Sequence, residues 1–218
     1  MYSEHMDRNV SINRESQVNR GRRLEYFTII YNSIEGIVSV IAGLIAGSIS
    51  LIGFGMDSVI EVTSGTALLW RLHHDNDPAK REASERLTIK IVGVCFLALA
   101  IYILYDSGSM LVHREAPDRS IPGIVIAAVS VIVMPFLAKY KRQVAASIDS
   151  AAMQADSRQT DFCAYLSAIL LCGLLLNALL GWWWADPVAA IVMIPIIASE
   201  GIKALRGKTC CESCGCSS

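Results

Sequence analysis

The sequence predicts an all-α membrane protein, a bundle of six transmembrane helices with both termini in the cytoplasm. Three observations point to this class: 53% of the 218 residues are hydrophobic, only 18% are charged, and apolar runs bounded by charged residues recur along the chain. A bilayer core about 30 Å thick needs roughly 20 mostly apolar residues per spanning helix. Six such helices therefore occupy most of this chain, and the composition is too apolar for a typical soluble domain.

The six predicted spans follow the apolar runs. They are expected at residues 26–46, 51–72, 89–105, 121–138, 160–180 and 187–205. Only four residues join the first two spans, so these must be antiparallel neighbours. The predicted organisation is a cytoplasmic amino-terminal segment (1–25), a six-helix transmembrane domain (26–206) and a cysteine-rich cytoplasmic tail (207–218). Residues 1–25 lack the apolar stretch of a signal peptide, so this segment is expected to be retained.

The positive charges predict the orientation, because loops on the cytoplasmic side carry an excess of Lys and Arg. Of nineteen such residues, seventeen fall on one side of the predicted spans, and only Arg114 and Arg119 fall on the other. Lys139, Lys141 and Arg142 are counted in the loop between spans four and five. The net charge of −1 gives no indication of a nucleic-acid partner. With no targeting segment, a bacterial plasma membrane is the expected location.

Three carboxylates fall inside the first two spans: Glu35 about midway along span one, and Asp57 and Glu61 in span two. A carboxylate near the bilayer centre costs at least a few kcal/mol, so each one needs a partner or a watery cavity. Asp57 and Glu61 are four residues apart and share a helical face, where two anions favour a bound cation or proton. The pattern predicts a divalent-cation site at which protons compete. The alternative is a pair neutralised by protonation or by an inward Arg, although the sequence places no basic residue at matching depth.

Span five offers a complementary set of ligands. Asp156, Gln159 and Cys163 recur at helical spacing on one face, and Asp161 is expected to point away from it. A thiolate or an amide oxygen can complete a four-coordinate shell with the span-two acids, and zinc accepts sulfur and oxygen together. Cys163 can equally be a small packing residue, and Asp156 can be solvated at the cytoplasmic mouth.

Residues 48–65 (SISLIGFGMDSVIEVTSG) and 155–190 (ADSRQTDFCAYLSAILLCGLLLNALLGWWWADPVAA) resemble the membrane domain of cation diffusion facilitator (cation efflux) transporters. The resemblance implies a divalent metal, commonly zinc, bound by two positions four apart on span two and two on span five, and exchanged for protons. Asp57 and Glu61 match the first pair. Gln159 and Cys163 stand where the family usually has His and Asp, so Glu35 or Asp156 is expected to supply charge, with Glu35 preferred.

The end of the chain departs from the resemblance. Family members usually carry a cytoplasmic metal-binding domain after span six, whereas this sequence ends about a dozen residues later, so dimerisation through that domain is not expected. A homodimer stays open. Cys210, Cys211, Cys214 and Cys216 combine C-x-x-C and C-x-C spacings, which in a reducing cytosol predict a soft-metal clasp. The alternative is a disordered tail whose cysteines are acylated or unused.

The predicted function is a secondary transporter that exports a zinc-like divalent metal from the cytoplasm in exchange for protons. The expected partners are the metal, protons and the lipid bilayer, with no prosthetic group. A membrane metal chaperone or sensor and a passive cation channel stay open as alternatives. A phosphate-cradling Gly-rich loop, a nucleophile elbow and a haem-attachment motif are all missing from the sequence, so no enzymatic activity is expected.

Overall fold

The computed structural model describes residues 2–73, 78–114 and 117–206, and every regular element in these ranges is an α-helix. The helices are α1 (Tyr2–Ala46), α2 (Ile49–His73), α3 (Pro78–His113), α4 (Ile121–Ile148), α5 (Ala151–Leu180) and α6 (Ala185–Leu205). The predicted all-α class is therefore confirmed. The four cysteines of the predicted tail clasp, Cys210, Cys211, Cys214 and Cys216, lie outside the described residues.

Five helical segments among the described residues are long and apolar enough to cross a membrane. They are Glu15–Ala46, Gly93–His113, Ile121–Ile148, Asp156–Leu180 and Ala185–Leu205. The protein is therefore an integral, multi-pass membrane protein. Helix α2 is not among the five. Asp57, Glu61 and the small residues at 63–66 lower the mean hydropathy of its sequence.

The helices extend past the predicted spans at several ends. Helix α1 begins at Tyr2 and α3 at Pro78, and α4 continues to Ile148, ten residues beyond the predicted end of span four. Ser120 and Ser150 cap the amino termini of α4 and α5, because their hydroxyls accept hydrogen bonds from the backbone N–H groups of Gly123 and Met153. The apolar runs locate the buried middle of each helix better than its charged ends.

The first two helices form the expected antiparallel hairpin. Gly47 makes the turn with a φ of +66°, a conformation that residues with a Cβ rarely adopt. The helices approach so closely that a Cβ on Gly55 would lie 2.9 Å from the Val40 backbone nitrogen, and one on Gly36 would lie 3.2 Å from the Gly55 carbonyl oxygen. Small residues permit this approach where lipid supplies no hydrophobic drive between helices.

The hairpin tip is tied to the start of α6 by a buried cluster of Ser48, Ser50 and Asp186, here called the tip cluster. The Ser48 hydroxyl donates a hydrogen bond to Asp186 Oδ1 at 2.6 Å. The Ser50 hydroxyl donates to the same oxygen, and the Ser50 backbone N–H donates to Oδ2 at 3.3 Å. Each carboxylate oxygen of Asp186 is thereby paired.

The packing of the helices defines one polar interior. Helix α1 packs along α2 and α4, α4 packs along α5, and α2 also contacts α5. Helices α3 and α6 pack against each other, and α3 also covers α2. An apolar core that includes Phe54, Ile103, Met134, Leu170 and Met193 joins the two groups. The interior enclosed by α1, α2, α4 and α5 contains most of the buried charged side chains described below.

Candidate metal site in the polar interior

A stripe of buried polar side chains runs along α1 and faces the other helices of the interior. Its members recur every three or four residues, which keeps them on one helical face. They are Glu25, Thr28, Asn32, Glu35 and Ser39, and each has an exposure of 0%. A membrane helix that buries so many polar groups is built to face protein, water or ions rather than lipid.

Glu35 lies in the middle of this stripe and is only half satisfied. It accepts a hydrogen bond on Oε1 from the Ser130 hydroxyl of α4, and that hydroxyl lies 2.8 Å from the Tyr31 hydroxyl oxygen. The second carboxylate oxygen, Oε2, has no hydrogen-bond partner, and neither do the side-chain oxygen and nitrogen of Asn32. Buried groups left without partners cost about 1–3 kcal/mol each and call for an explanation such as a bound ion or water.

Asp57 and Glu61, here called the acid pair, lie on the inner face of α2 with exposures of 4% and 0%. The Thr160 hydroxyl of α5 donates a 2.8 Å hydrogen bond to Glu61 Oε1, and Glu61 Oε2 has no partner. The buried thiol of Cys163 lies within interaction range of both carboxylates. Glu35 is also close enough to interact electrostatically with the acid pair. Groups from α1, α2 and α5 therefore face one another in the interior.

These groups do not yet form a closed coordination shell. Within the ranges that the structure describes, no three His, Cys, Asp or Glu side chains converge to hold a metal ion. Glu35, the acid pair and Cys163 would have to move towards one another to coordinate one. A bundle whose acids face each other without meeting can bind an ion in one arrangement of its helices and release it in another.

The three predicted ligands on α5 have different surroundings. Cys163 faces the acid pair, whereas the carboxylate of Asp156 is held by Lys141 at 2.5 Å. Gln159 is partly buried, and its Nε2 has no hydrogen-bond partner. Asp161 points away from this face, as expected, and pairs with Arg142 at 2.9 Å.

Lys141 contradicts one expectation from the sequence. It was counted in a cytoplasmic loop, but it lies on α4 and its side chain has an exposure of 0%. Its ammonium nitrogen lies 2.5 Å from Asp156 Oδ2 and 3.3 Å from Glu25 Oε1, and its charge acts on Glu61. The expectation was wrong because α4 continues past the predicted span and carries Lys141 inside the bundle.

The fold and the buried acids can now be set beside known proteins. A family model described as the cation efflux transmembrane domain matches residues 26–208 of the chain. The chain belongs to the cation efflux family. This is a family of cation transporters and not of enzymes, which is consistent with the expectation that the protein is not an enzyme.

Similar curated proteins include a cation-efflux pump, a magnetosome protein and a transmembrane protein. This cation efflux protein is 22% identical over 169 residues to the cation-efflux pump FieF of Shewanella oneidensis, an alignment covering 75% of the chain and 57% of the pump. It is 27% identical to the magnetosome protein MamB of Paramagnetospirillum magneticum, with the same two coverages. It is 28% identical over 188 residues to transmembrane protein 163 of Xenopus laevis, covering 84% of the chain and 65% of that protein. The chain thus spans less than two thirds of the length of these relatives.

The interior of this cation efflux domain contains more acidic than basic side chains. The acids enclosed by α1, α2, α4 and α5 are Glu25, Glu35, Asp57, Glu61 and Asp156, and the one buried base among the described residues is Lys141. Unpaired charges are costly in a medium of low dielectric constant, so an interior of this composition must be neutralised by added cations or protons. A cation transporter needs an interior of this kind, in which buried acids are neutralised by cations or protons from outside.

Sequence reasoning missed Glu25 and Thr160 as members of this interior. Glu25 was placed in the terminal segment, yet it lies ten residues before Glu35, a spacing that keeps both on the inner face of α1. Thr160 lies four residues after Asp156 and three before Cys163, so the same helical spacing was the signal that could have found it.

Proposed function

We propose that this cation efflux protein is a secondary transporter that moves a zinc-like divalent metal ion out of the cytoplasm in exchange for protons. The observation that carries the proposal is the acid pair, which is buried on α2 and faces Glu35 and Cys163 across the interior. Acids buried in a membrane are functional by default, because only a captured cation, a proton or a charged partner makes them tolerable.

Asp57 and Glu61 are the proposed central ligands, completed by Glu35 and by the thiol of Cys163. Carboxylate oxygens with one sulfur suit zinc better than magnesium or calcium, which prefer oxygen alone. Gln159 remains a proposed ligand. Asp156 can join the shell only after it releases Lys141, because the ammonium occupies one of its oxygens.

Exchange with protons follows from competition for the same oxygens. A carboxylate that binds metal must be deprotonated, so metal and protons exclude each other at the acid pair. When the site faces an acidic compartment, protons displace the metal; when it faces the near-neutral cytosol, the acids ionise and capture metal again.

The proposed topology has six crossings, with α2 as the sixth and with both termini in the cytoplasm. Helix α2 has 25 residues, which at 1.5 Å per residue is about 37 Å and long enough for a core of about 30 Å. Its contacts with α1, α3 and α5 shield its polar face from lipid. The orientation rests on the seventeen Lys and Arg residues assigned to one side.

The remaining proposals rest on the sequence. Residues 26–206 form the transporting domain, and residues 207–218 form a cytoplasmic tail whose four thiols clasp a soft metal. The membrane concerned is the plasma membrane of a bacterium, and the chain assembles as a homodimer.

Proteoliposomes that contain a zinc-sensitive dye test the proposed function. Zinc uptake should follow an imposed pH gradient and disappear in Asp57→Asn. Asp161→Asn is the matched control, because this carboxylate on α5 pairs with Arg142 away from the interior, and it should transport normally. Passive uptake that ignores the pH gradient would favour a channel, and zinc binding without uptake would favour a chaperone.

A further inference from the structure

A second group of buried charges lies beyond the acid pair. Lys141 of α4 extends its ammonium between the carboxylates of Glu25 on α1 and Asp156 on α5, at 3.3 Å and 2.5 Å. All three side chains have exposures of 3% or less. The two carboxylates are close enough to act on each other, so they hold a single cation between two helices.

Asp156 is incompletely paired. The ammonium lies 3.3 Å from each carboxylate oxygen of Glu25, whereas the buried Oδ1 of Asp156 makes no hydrogen bond. Two carboxyl groups face one ammonium group, so Lys141 can neutralise only one of them when both are ionised. An ion pair that served only to hold the helices together would not need an extra acid, and buried pairs contribute little net stability in any case.

The group lies between the acid pair and the apolar cluster of Val18, Leu72, Val144 and Met153 near the end at which α4 and α5 connect. Counted from the hairpin turn at 1.5 Å per residue, Glu25 lies about 30 Å along α1, close to the end at which α4 and α5 connect. Thr160, which donates to Glu61, lies one turn along α5 from Asp156. A cation that enters between α1, α4 and α5 therefore meets Glu25 and Asp156 before it meets Glu61.

We propose that Glu25 and Asp156 form an entry site for the divalent cation, and that the ammonium of Lys141 is a tethered cation that fills it until the metal arrives. A divalent ion neutralises both carboxylates, whereas the ammonium neutralises one, so charge favours the exchange. The flexible four-carbon stem of lysine lets the ammonium leave without movement of a helix. The oxygen-only ligand set suits transient capture rather than tight storage of zinc.

This inference rests on the proposed function for its role in transport, but its binding test does not. Bound zinc would be counted by equilibrium dialysis and elemental analysis of the purified full-length protein in detergent. At a zinc concentration too low to displace the ammonium from the wild type, Lys141→Met, which keeps the length of the side chain and removes its charge, should bind one zinc ion more than its parent. The same gain should appear in the double variant Asp57→Asn/Glu61→Gln, because the entry site is separate from the acid pair.

Two controls make the test specific. Lys141→Arg keeps a positive charge and should show no gain, and adding Asp156→Asn to Lys141→Met should remove the gain. The inference is overturned if folded Lys141→Met binds no additional zinc, or if the additional zinc persists after Glu25→Gln and Asp156→Asn are both added. Failure of the proposed function looks different: the wild type and Asp57→Asn/Glu61→Gln would then bind the same amount of zinc.

If Lys141→Met alone does not fold, the neutral triple variant Glu25→Gln/Lys141→Met/Asp156→Asn leaves no charge unpaired in this group. Its zinc uptake should show a KM raised several-fold with a maximal rate close to that of the wild type, because capture is weakened and the acid pair is intact. An unchanged KM would overturn the inference.

Discussion

Two regions of the molecule bury acids equally well and treat them differently. In the tip cluster, Asp186 has an exposure of 0%, and two hydroxyls and one backbone N–H donate to its two oxygens. In the interior, Glu35 and Glu61 have the same exposure. Each accepts a single hydrogen bond, from Ser130 and Thr160 respectively, and the second oxygen of each carboxylate has no partner. Burial is therefore the same in the two regions. What differs is the number of protein donors to each carboxylate, which is why we propose that only the interior acids bind a cation.

The largest expected effect comes from the acid pair. Asp57→Asn should reduce pH-driven zinc uptake by more than about 100-fold, since loss of a proposed metal ligand should cost more than the roughly 10–100-fold loss seen for residues that only support ligands. Thermal stability in detergent should stay the same or rise, because the variant removes a charge that lacks full compensation. Uptake and thermal unfolding would be measured on the same preparation. Uptake close to the wild-type rate would contradict the proposal that the interior acids bind the cation whereas the acid of the tip cluster is structural.

Asp186→Ala should give the opposite result. The change leaves the hydroxyls of Ser48 and Ser50 without their acceptor, and we expect a loss of about 2–3 kcal/mol in the free energy of unfolding. Zinc affinity per folded molecule should stay the same. Asp161→Ala is the control, because its partly exposed pair with Arg142 is worth about 0–1 kcal/mol. A loss of zinc binding without a loss of stability would show that the tip cluster is not structural.

Cys163→Ser tests which metal the interior prefers. Serine keeps the size of the side chain but replaces sulfur with a hard oxygen, so binding of cadmium should weaken by about 10-fold while binding of manganese changes little. Competition between the two metals on purified protein would measure the ratio. Cys172→Ser on the exposed side of α5 is the matched control and should leave the ratio unchanged. Equal weakening of both metals would indicate that Cys163 only packs.

The smallest expected effect comes from the single donor to Glu61. Thr160→Val removes the hydroxyl and keeps the shape, and zinc affinity should change by about 5-fold, the equivalent of a hydrogen bond worth about 1 kcal/mol. Thr160→Ser restores the donor and should behave as the wild type. Isothermal titration of the three proteins would detect the difference. If Val and Ser variants bind zinc equally, the Thr160 hydroxyl has no part in the site.

Much of this architecture could be predicted from the sequence, because the periodicity of apolar residues and the shortness of the connections can be read from neighbouring residues. The six helices, the antiparallel hairpin and the shared face of Asp57 and Glu61 all follow from residue spacing. The partners of Lys141 could not be predicted, since they depend on how far α4 continues and on which helices it faces. Lysine has a long apolar stem, so its position near a helix end is equally compatible with a water-exposed and a buried ammonium.

The tip cluster also has a mechanical consequence for the hairpin. Helices α1 and α2 are fastened to α6 at one end by three hydrogen bonds that belong to a single carboxylate. A helix fastened at one end moves more with distance from that end, so any tilt of the hairpin should produce a larger displacement about 30 Å away, around Glu25, than at the tip. We therefore expect spin labels attached near residue 20 to report larger distance changes during turnover than labels attached near residue 45.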